Sequence, residues 1–177
     1  MYHTKAEPYL KHNATRLETL ILDVYNQNTG DFEKLRVFLD GGAQMSIIST
    51  ECAKKCGLKT ESSESVMIAT FGGHLSKKKL NITTVDCYEN PSDYSGKLSV
   101  RVYIMDKLVD PIKAYPLSER QEKICLAQNY QLSDELAGKS ELLKIDMLVG
   151  ADCINNFSAG NSIKLPGGSI LKKSWDP

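Results

Sequence analysis

Short apolar and β-branched runs, separated by turn residues, dominate the first hundred positions of the chain. The runs at 19–25 and 35–40 flank the turn-rich segment 26–30, which predicts an antiparallel pair of strands. The runs at 66–71 and 80–88 flank a glycine- and lysine-rich segment, which predicts a long hairpin with a glycine-rich tip. The pattern therefore predicts a domain that is mostly β.

Residues 49–57 carry the signals of a short helix. Ser49 supplies a hydroxyl for the N-cap, Glu51 places an acid in the first turn, and Gly57 follows two lysines at the end. A hydroxyl, an early acid, late bases and a final glycine each favour helix formation at their positions. We expect one short helix directly after the run Ile47–Ile48.

The second half of the chain predicts fewer strands and a small helical insertion. Residues 98–104 alternate as a strand, and 112–115 add an edge segment. Ser118–Gln121 resembles a capping box. Residues 143–150 predict a strand ending in glycine, and 163–171 a closing hairpin. Loosely spaced apolar residues after the capping box predict one or two short helices: Leu126, Tyr130, Leu132 and Leu136.

Length and charge fit one ordinary domain. The chain has 177 residues, enough to bury a core without disulfides or metals. We expect a single domain over 17–177, preceded by an N-terminal extension over 1–16 whose order the pattern leaves open. Basic and acidic residues balance at 22 each, so no net field attracts nucleic acid or an anionic membrane. Neither is expected as a partner.

The cysteines favour an intracellular protein with free thiols. There are five of them, an odd number without the spacing of a disulfide framework. Cys52 and Cys56 lie four apart on the predicted helix, but no second Cys/His pair at zinc spacing accompanies them. Core thiols are therefore favoured over metal ligands, and no metal or cofactor is expected. No signal peptide or run of about 18 apolar residues is found.

Asp40 is the candidate for chemistry. It follows the apolar run 37–39 and precedes Gly41, Gly42 and Ala43, which predicts a carboxylate at the end of a buried strand, in an open turn. An Asp-Gly pair is also common in simple hairpin turns, so the motif alone leaves that alternative open.

Peptide hydrolysis by carboxylates needs two of them in contact, sharing one proton. No second Asp-Xaa-Gly follows an apolar run, because Asp152 lacks the glycine and is interpreted as a helix cap. If Asp40 is catalytic, its partner carboxylate must come from another chain.

Three segments together resemble a retropepsin, an aspartic protease of the retroviral type. They are residues 39–48, the helix with Cys52 and Cys56, and residues 145–152. The resemblance implies a closed β-barrel subunit with a flap hairpin, a short helix after the active-site turn and a small helical insertion. It assigns catalysis to Asp40. The remaining site residues that it implies are the active-site turn (Gly41, Gly42, Ala43), the flap (Phe71, Gly72, Gly73, His74) and the hydrophobic-glycine support (Leu148, Val149, Gly150).

The resemblance also suggests a subclass and a biological setting. The run 40–45 is similar to that of the DNA-damage-inducible retropepsin-like proteins. The helical insertion before 145–152 is more similar to the peptidases of Bel/Pao retrotransposons, which we prefer. This resemblance implies a homodimer that cleaves an extended polypeptide, the polyprotein of the retroelement, in the cytoplasm or in virus-like particles.

Gly41 departs from the family pattern. In retropepsins a Ser or Thr at this position donates a hydrogen bond across the dimer axis and makes the two turns rigid. Gly41 removes that hydroxyl and adds backbone freedom, at a cost of about 0.5–1 kcal/mol. The departure supports an alternative hypothesis, in which a domesticated retropepsin fold with weak or no catalysis acts as a protein-binding or dimerisation module.

Overall fold

A computed structural model describes residues 18–69, 75–113, 117–128, 142–164 and 170–174, with side chains described up to residue 157. Strands make up most of these residues. They are β1 (Thr19–Asn26), β2 (Asp31–Leu39), β3 (Ile47–Ser49), β4 (Ser62–Ala69), β5 (Leu75–Tyr88), β6 (Leu98–Met105), β7 (Ile112–Lys113), β8 (Leu142–Leu143), β9 (Met147–Val149), β10 (Ser158–Lys164) and β11 (Ile170–Ser174). The helices are α1 (Thr50–Lys55), α2 (Glu119–Ala127) and a 3-10 turn (Ile154–Phe157).

The main sheet closes on itself. Its strand order is β1-β2-β9-β3-β6-β5-β4, and β1 also pairs with β5. The closing contacts join Asp23 to Tyr88 and Val24 to Cys87. Strands β1, β2, β9, β3, β6 and β5 therefore form a closed ring, and β4 lies outside it on β5. The predicted all-β class with a closed barrel is confirmed.

The barrel interior is filled by alternating aliphatic side chains from the ring strands, as expected where residues two apart share one face. Fully buried members of this core include Val24, Leu35, Val37, Ile48, Val85, Val102, Met147 and Val149. Phe157, from the 3-10 turn, is also buried in this core. In the described part of the chain, no helix is both long and apolar enough to cross a membrane.

Both predicted hairpins of the first half are present. Strands β1 and β2 pair antiparallel from Thr19↔Phe38 to Asn26↔Asp31, and β4 pairs with β5 from Ser62↔Ile82 to Ala69↔Leu75. Strand β4 begins four residues before the predicted run at 66, because pairing with β5 extends the strand into polar residues. We call the paired segments 62–69 and 75–80 the arm. The predicted flap residues Phe71, Gly72, Gly73 and His74 lie outside the described residues.

Helix α1 has the caps that the sequence predicts. The Ser49 hydroxyl accepts a hydrogen bond from Cys52 N–H at 3.1 Å. Gly57 follows the helix at φ +69°, a left-handed conformation that glycine adopts without steric cost. The Asn28 side-chain amide donates to the Lys54 and Lys55 carbonyl oxygens, both at 3.1 Å, so the β1–β2 turn fixes the end of the helix.

The predicted strand over 143–150 is interrupted. It divides into β8 and β9, because the chain bends at Asp146 to meet two neighbouring segments. Asp146 N–H donates to the Arg36 carbonyl oxygen at 2.9 Å, and the Asp146 carboxylate accepts from Arg36 N–H at 3.0 Å. The Asp146 carbonyl oxygen accepts from Ser49 N–H at 3.0 Å. Local apolar pattern alone could not reveal these long-range bonds.

Three further predicted elements have counterparts in the structure, whereas Tyr130, Leu132 and Leu136 of the predicted helical insertion lie outside the described residues. Helix α2 begins at the capping box, in which Gln121 N–H donates to the Ser118 hydroxyl and Ser118 N–H donates to the Gln121 side chain. Strands β10 and β11 form the predicted closing hairpin. Strand β7 covers the first two residues of the predicted edge segment at 112–115 and pairs with β8, while residues 114–115 lie outside the described residues.

Candidate active site

Asp40 lies directly after β2, where the strand leaves the barrel core. Its side chain is half-buried, whereas Gly41 and Gly42 beside it are exposed. Gly42 N–H donates to Asp40 Oδ1 at 2.9 Å, and Ala43 N–H donates to the Asp40 carbonyl oxygen at 3.1 Å. These bonds fix the orientation of the carboxylate within a turn that is open to solvent.

Strand β9 supports this turn from the side. It pairs parallel with β2, with Phe38 opposite Leu148 and Leu39 opposite Val149. Asp40 N–H donates to the Val149 carbonyl oxygen at 2.9 Å. The structure therefore places the predicted hydrophobic-glycine support, Leu148, Val149 and Gly150, next to Asp40.

Gly150 allows the backbone after β9 to contact the backbone of residues 43–45, which follow Asp40. A Cβ atom on Gly150 would lie 2.7 Å from the Met45 carbonyl oxygen and 2.8 Å from that of Ala43. Ala151 N–H donates to the same Ala43 carbonyl oxygen at 2.8 Å. A side chain at position 150 would therefore displace the turn that contains Asp40.

The two glycines after Asp40 have different surroundings. A Cβ on Gly42 would lie 3.2 Å from Asp40 Oδ1, which is a tight contact. A Cβ on Gly41 would meet only Ile154 Cδ1, at 4.0 Å. Position 41 therefore has room for the hydroxyl side chain that the family pattern places there.

A hydrogen-bonded pair that the sequence did not predict lies beneath the turn. Asp152, interpreted as a helix cap, instead accepts from Ser46 at both oxygens: from the hydroxyl at 2.7 Å and from Ser46 N–H at 2.9 Å. Cys153 N–H and Ile154 N–H, at the start of the 3-10 turn, donate to the Gly150 carbonyl oxygen instead of to the Asp152 side chain. The signal in the sequence was a serine within an apolar run, since a buried hydroxyl needs a partner.

The two cysteines predicted to be core thiols are buried. Cys52 and Cys56 are 5% and 0% exposed. The Cys52 thiol donates a hydrogen bond to Cys56, which lowers the pKa of Cys56 and raises the pKa of Cys52. Burial raises the pKa of Cys87 to about 12. Among the residues that the structure describes, no three potential ligands are close enough to hold a metal ion.

One carboxylate of the arm also bonds to strand β6 of the barrel. The Glu64 side chain on β4 extends across β5 to β6. There it accepts a hydrogen bond from the Tyr103 hydroxyl and another, at 3.3 Å, from Arg101. Arg101 also lies over the Tyr103 ring, 5.7 Å from its centroid. The bonds from Tyr103 and Arg101 lower the pKa of Glu64 below its usual value.

This lowered pKa predicts a pH-dependent arm. A carboxylate with a depressed folded-state pKa stabilises its contacts above its unfolded pKa and loses them as pH falls through the folded value. At about pH 6, we expect Glu64→Gln to exchange its β4 amide protons faster than wild type. At about pH 3 or below, the two proteins should exchange alike. Hydrogen exchange of both proteins at each pH measures this, and an equal difference at both pH values would contradict it.

Part of the chain matches a known protein family. Residues 30–90 match the sequence profile of the family described as gag-polyprotein putative aspartyl protease. This stretch contains the Asp40 turn, helix α1 and both strands of the arm. The predicted resemblance to retropepsin-like aspartic proteases is confirmed, while the Bel/Pao subclass stays a prediction. No curated protein sequence matches the chain significantly.

Several solved structures resemble the chain at low identity. The EIAV protease in complex with the inhibitor HBY-793 is 18% identical, with a TM-score of 0.38 over 70% of this chain and 98% of that chain. The retroviral protease-like domain of Ddi1 from Leishmania major is 13% identical, with a TM-score of 0.36 over 89% and 96%. A retropepsin-like aspartic protease from Rickettsia conorii is 14% identical, with a TM-score of 0.37 over 91% and 98%.

Proposed function

We propose that the protein is a retropepsin-like aspartic endopeptidase that acts as a symmetric homodimer. The observation that carries this proposal is the position of Asp40, whose half-buried carboxylate is oriented in an open glycine turn at the end of a core strand. The match of residues 30–90 to an aspartyl protease family supports it. Because the sequence has one such Asp-Xaa-Gly turn, the second carboxylate comes from a second copy of the chain.

The chemistry follows from two carboxylates in contact. Like charges so close cannot both ionise, so the pair holds one shared proton. The ionised Asp40 takes a proton from water as the water oxygen bonds to the peptide carbon, and the protonated Asp40 gives its proton to the carbonyl oxygen. Breakdown of the tetrahedral intermediate cleaves the C–N bond as a proton moves to the amine.

The substrate in this proposal is an extended polypeptide. It lies as an added strand between the arm and the Asp40 turn, with main-chain hydrogen bonds for affinity and alternate side chains in pockets for specificity. The matched family is described as a gag-polyprotein aspartyl protease, and we propose a retroelement polyprotein as the natural substrate, processed inside the cell or within virus-like particles. A mixture of unstructured peptides, analysed by mass spectrometry for new termini, tests cleavage directly.

Gly41→Ser is expected to increase cleavage. The site has room for the side chain, since the nearest atom to a Cβ is 4.0 Å away, and a hydroxyl at this position could bond across the dimer axis. We expect a gain in kcat of about threefold to tenfold from a more rigid turn. The free energy of unfolding should rise by about 0.5–1 kcal/mol as glycine's entropy is removed.

The same variant separates the two candidate functions. Gly41 favours the alternative, a dimeric binding module, because it removes the hydroxyl that stiffens the turn. Peptide cleavage by wild type that increases in Gly41→Ser supports the enzyme. If neither protein cleaves peptides, and sedimentation shows a stable dimer, the binding module is supported instead. Gly41→Ala serves as the control, since it removes glycine's freedom without adding a hydroxyl.

A further inference from the structure

Ser46 is completely buried, yet its hydroxyl has three polar neighbours. It donates to Asp152 Oδ1 at 2.7 Å and accepts from Gly150 N–H at 3.0 Å. The Cys153 sulfur lies 3.0 Å from the same oxygen. The hydroxyl therefore has a polar contact to each of three groups: a carboxylate, a backbone N–H and a thiol.

These bonds connect the segment after Asp40 to the segment after β9. Ser46 N–H donates to Asp152 Oδ2 at 2.9 Å, and the Ser46 carbonyl oxygen accepts from Tyr103 N–H on β6 at 2.9 Å. The bond from Ala151 N–H to Ala43 adds a further link at 2.8 Å. The turn containing Asp40 is thus held at its start by Val149 and at its end by Ser46.

We infer that Ser46 and Asp152 are positioning residues that hold the Asp40 turn and supply the rigidity that Gly41 does not. We call this pair the latch. The inference rests on the proposed function for its effect on cleavage, but its effect on the turn is independent of it. A carboxylate suits the role because its two oxygens accept the Ser46 hydroxyl and Ser46 N–H together, and hydrogen bonds to charged acceptors are the stronger ones.

Asp152→Ala tests the latch, with Asp146→Ala as a matched control. Both aspartates accept a backbone N–H of another segment, at 2.9 Å from Ser46 and at 3.0 Å from Arg36. Only Asp152 faces the turn. We expect Asp152→Ala to lower kcat by about 100-fold with little change in KM, as a displacement of roughly 1 Å would do. Asp146→Ala should lose stability without this selective loss of kcat.

Amide hydrogen exchange measures how firmly the latch holds the Asp40 turn, and this measurement does not depend on catalysis. In Asp152→Ala, we expect the N–H groups of Gly42, Ala43 and Ala151 to exchange at least about tenfold faster, while core amides such as that of Val102 do not change. Asp152→Asn keeps an acceptor oxygen, so its exchange rates at these amides should lie between those of wild type and those of Asp152→Ala. If the alanine variant fails to fold, the asparagine variant provides the same comparison.

A double substitution tests whether the latch compensates for Gly41. The effects of two substitutions that change the rigidity of the same turn are not additive. The gain in kcat from Gly41→Ser should therefore be at least about fivefold larger in the Asp152→Ala background than in wild type. Equal gains in both backgrounds would overturn the compensation.

The exchange measurement can overturn the latch, and the cleavage measurement can overturn the proposed protease, each independently of the other. Unchanged exchange of the turn amides in Asp152→Ala would overturn the latch, whatever the cleavage rate. Faster exchange in that variant, combined with no cleavage by wild type or Gly41→Ser, would support the latch and overturn the proposed protease.

Discussion

Asp40→Asn is expected to abolish peptide cleavage and leave the fold intact. The asparagine oxygen can still accept the bond from Gly42 N–H, which is 2.9 Å from Asp40 Oδ1. It cannot take a proton from water or return one, so we expect kcat to fall by on the order of 1000-fold or more. The free energy of unfolding should stay within about 0.5 kcal/mol of wild type, because no buried group loses its partner.

Asp106→Asn is the matched control for this substitution. Asp106 is an exposed aspartate on another loop, and it accepts a hydrogen bond from the Thr50 hydroxyl at 2.7 Å. Its variant should cleave at the wild-type rate. Cleavage by Asp40→Asn at a rate close to that of Asp106→Asn would show that the Asp40 carboxylate is not the catalytic group.

Gly150→Ala is expected to be the most damaging small change near the site. The added Cβ would lie 2.7 Å from the Met45 carbonyl oxygen, and backbone atoms cannot move aside as a flexible side chain can. We expect a loss of about 1–3 kcal/mol in the free energy of unfolding from this overpacking. The displaced turn should also lower kcat by about 100-fold in the fraction that folds.

Gly41→Ala adds the same methyl group into open space and is the control for Gly150→Ala. The nearest atom to its Cβ is Ile154 Cδ1, at 4.0 Å. Chemical denaturation of both variants measures the difference in stability. If the two alanine variants were equally stable, the close contact of Gly150 with residues 43–45 would not be a constraint on the fold.

The elements that follow local signals were predictable from the sequence. Helix α1 has the Ser49 cap and the Gly57 stop that its residues predicted, and the hairpins formed between runs separated by turn residues. Such signals act within a few residues of each other, where chain geometry fixes which groups meet. The proximity of residues 148–150 to Asp40 came from the family resemblance, because no local pattern specifies it.

Contacts between distant segments could not be read from the pattern. Closure of the barrel depends on the pairing of Asp23 with Tyr88 and of Val24 with Cys87, and neither strand has a residue type that specifies its partner. Asp152 looked like a helix cap because capping is the commonest local role of such a residue. Its actual partner, Ser46, is 106 positions away in the sequence.

The direct test of the two-chain active site is a mixing experiment. Wild-type protein is replaced by the Asp40→Asn variant at constant total concentration, with time for subunits to exchange, and peptide cleavage is measured. If each active dimer needs both carboxylates, an equal mixture contains about one quarter wild-type dimers and should retain about one quarter of the activity. Retention of about one half would mean that each chain acts alone, which would contradict the account.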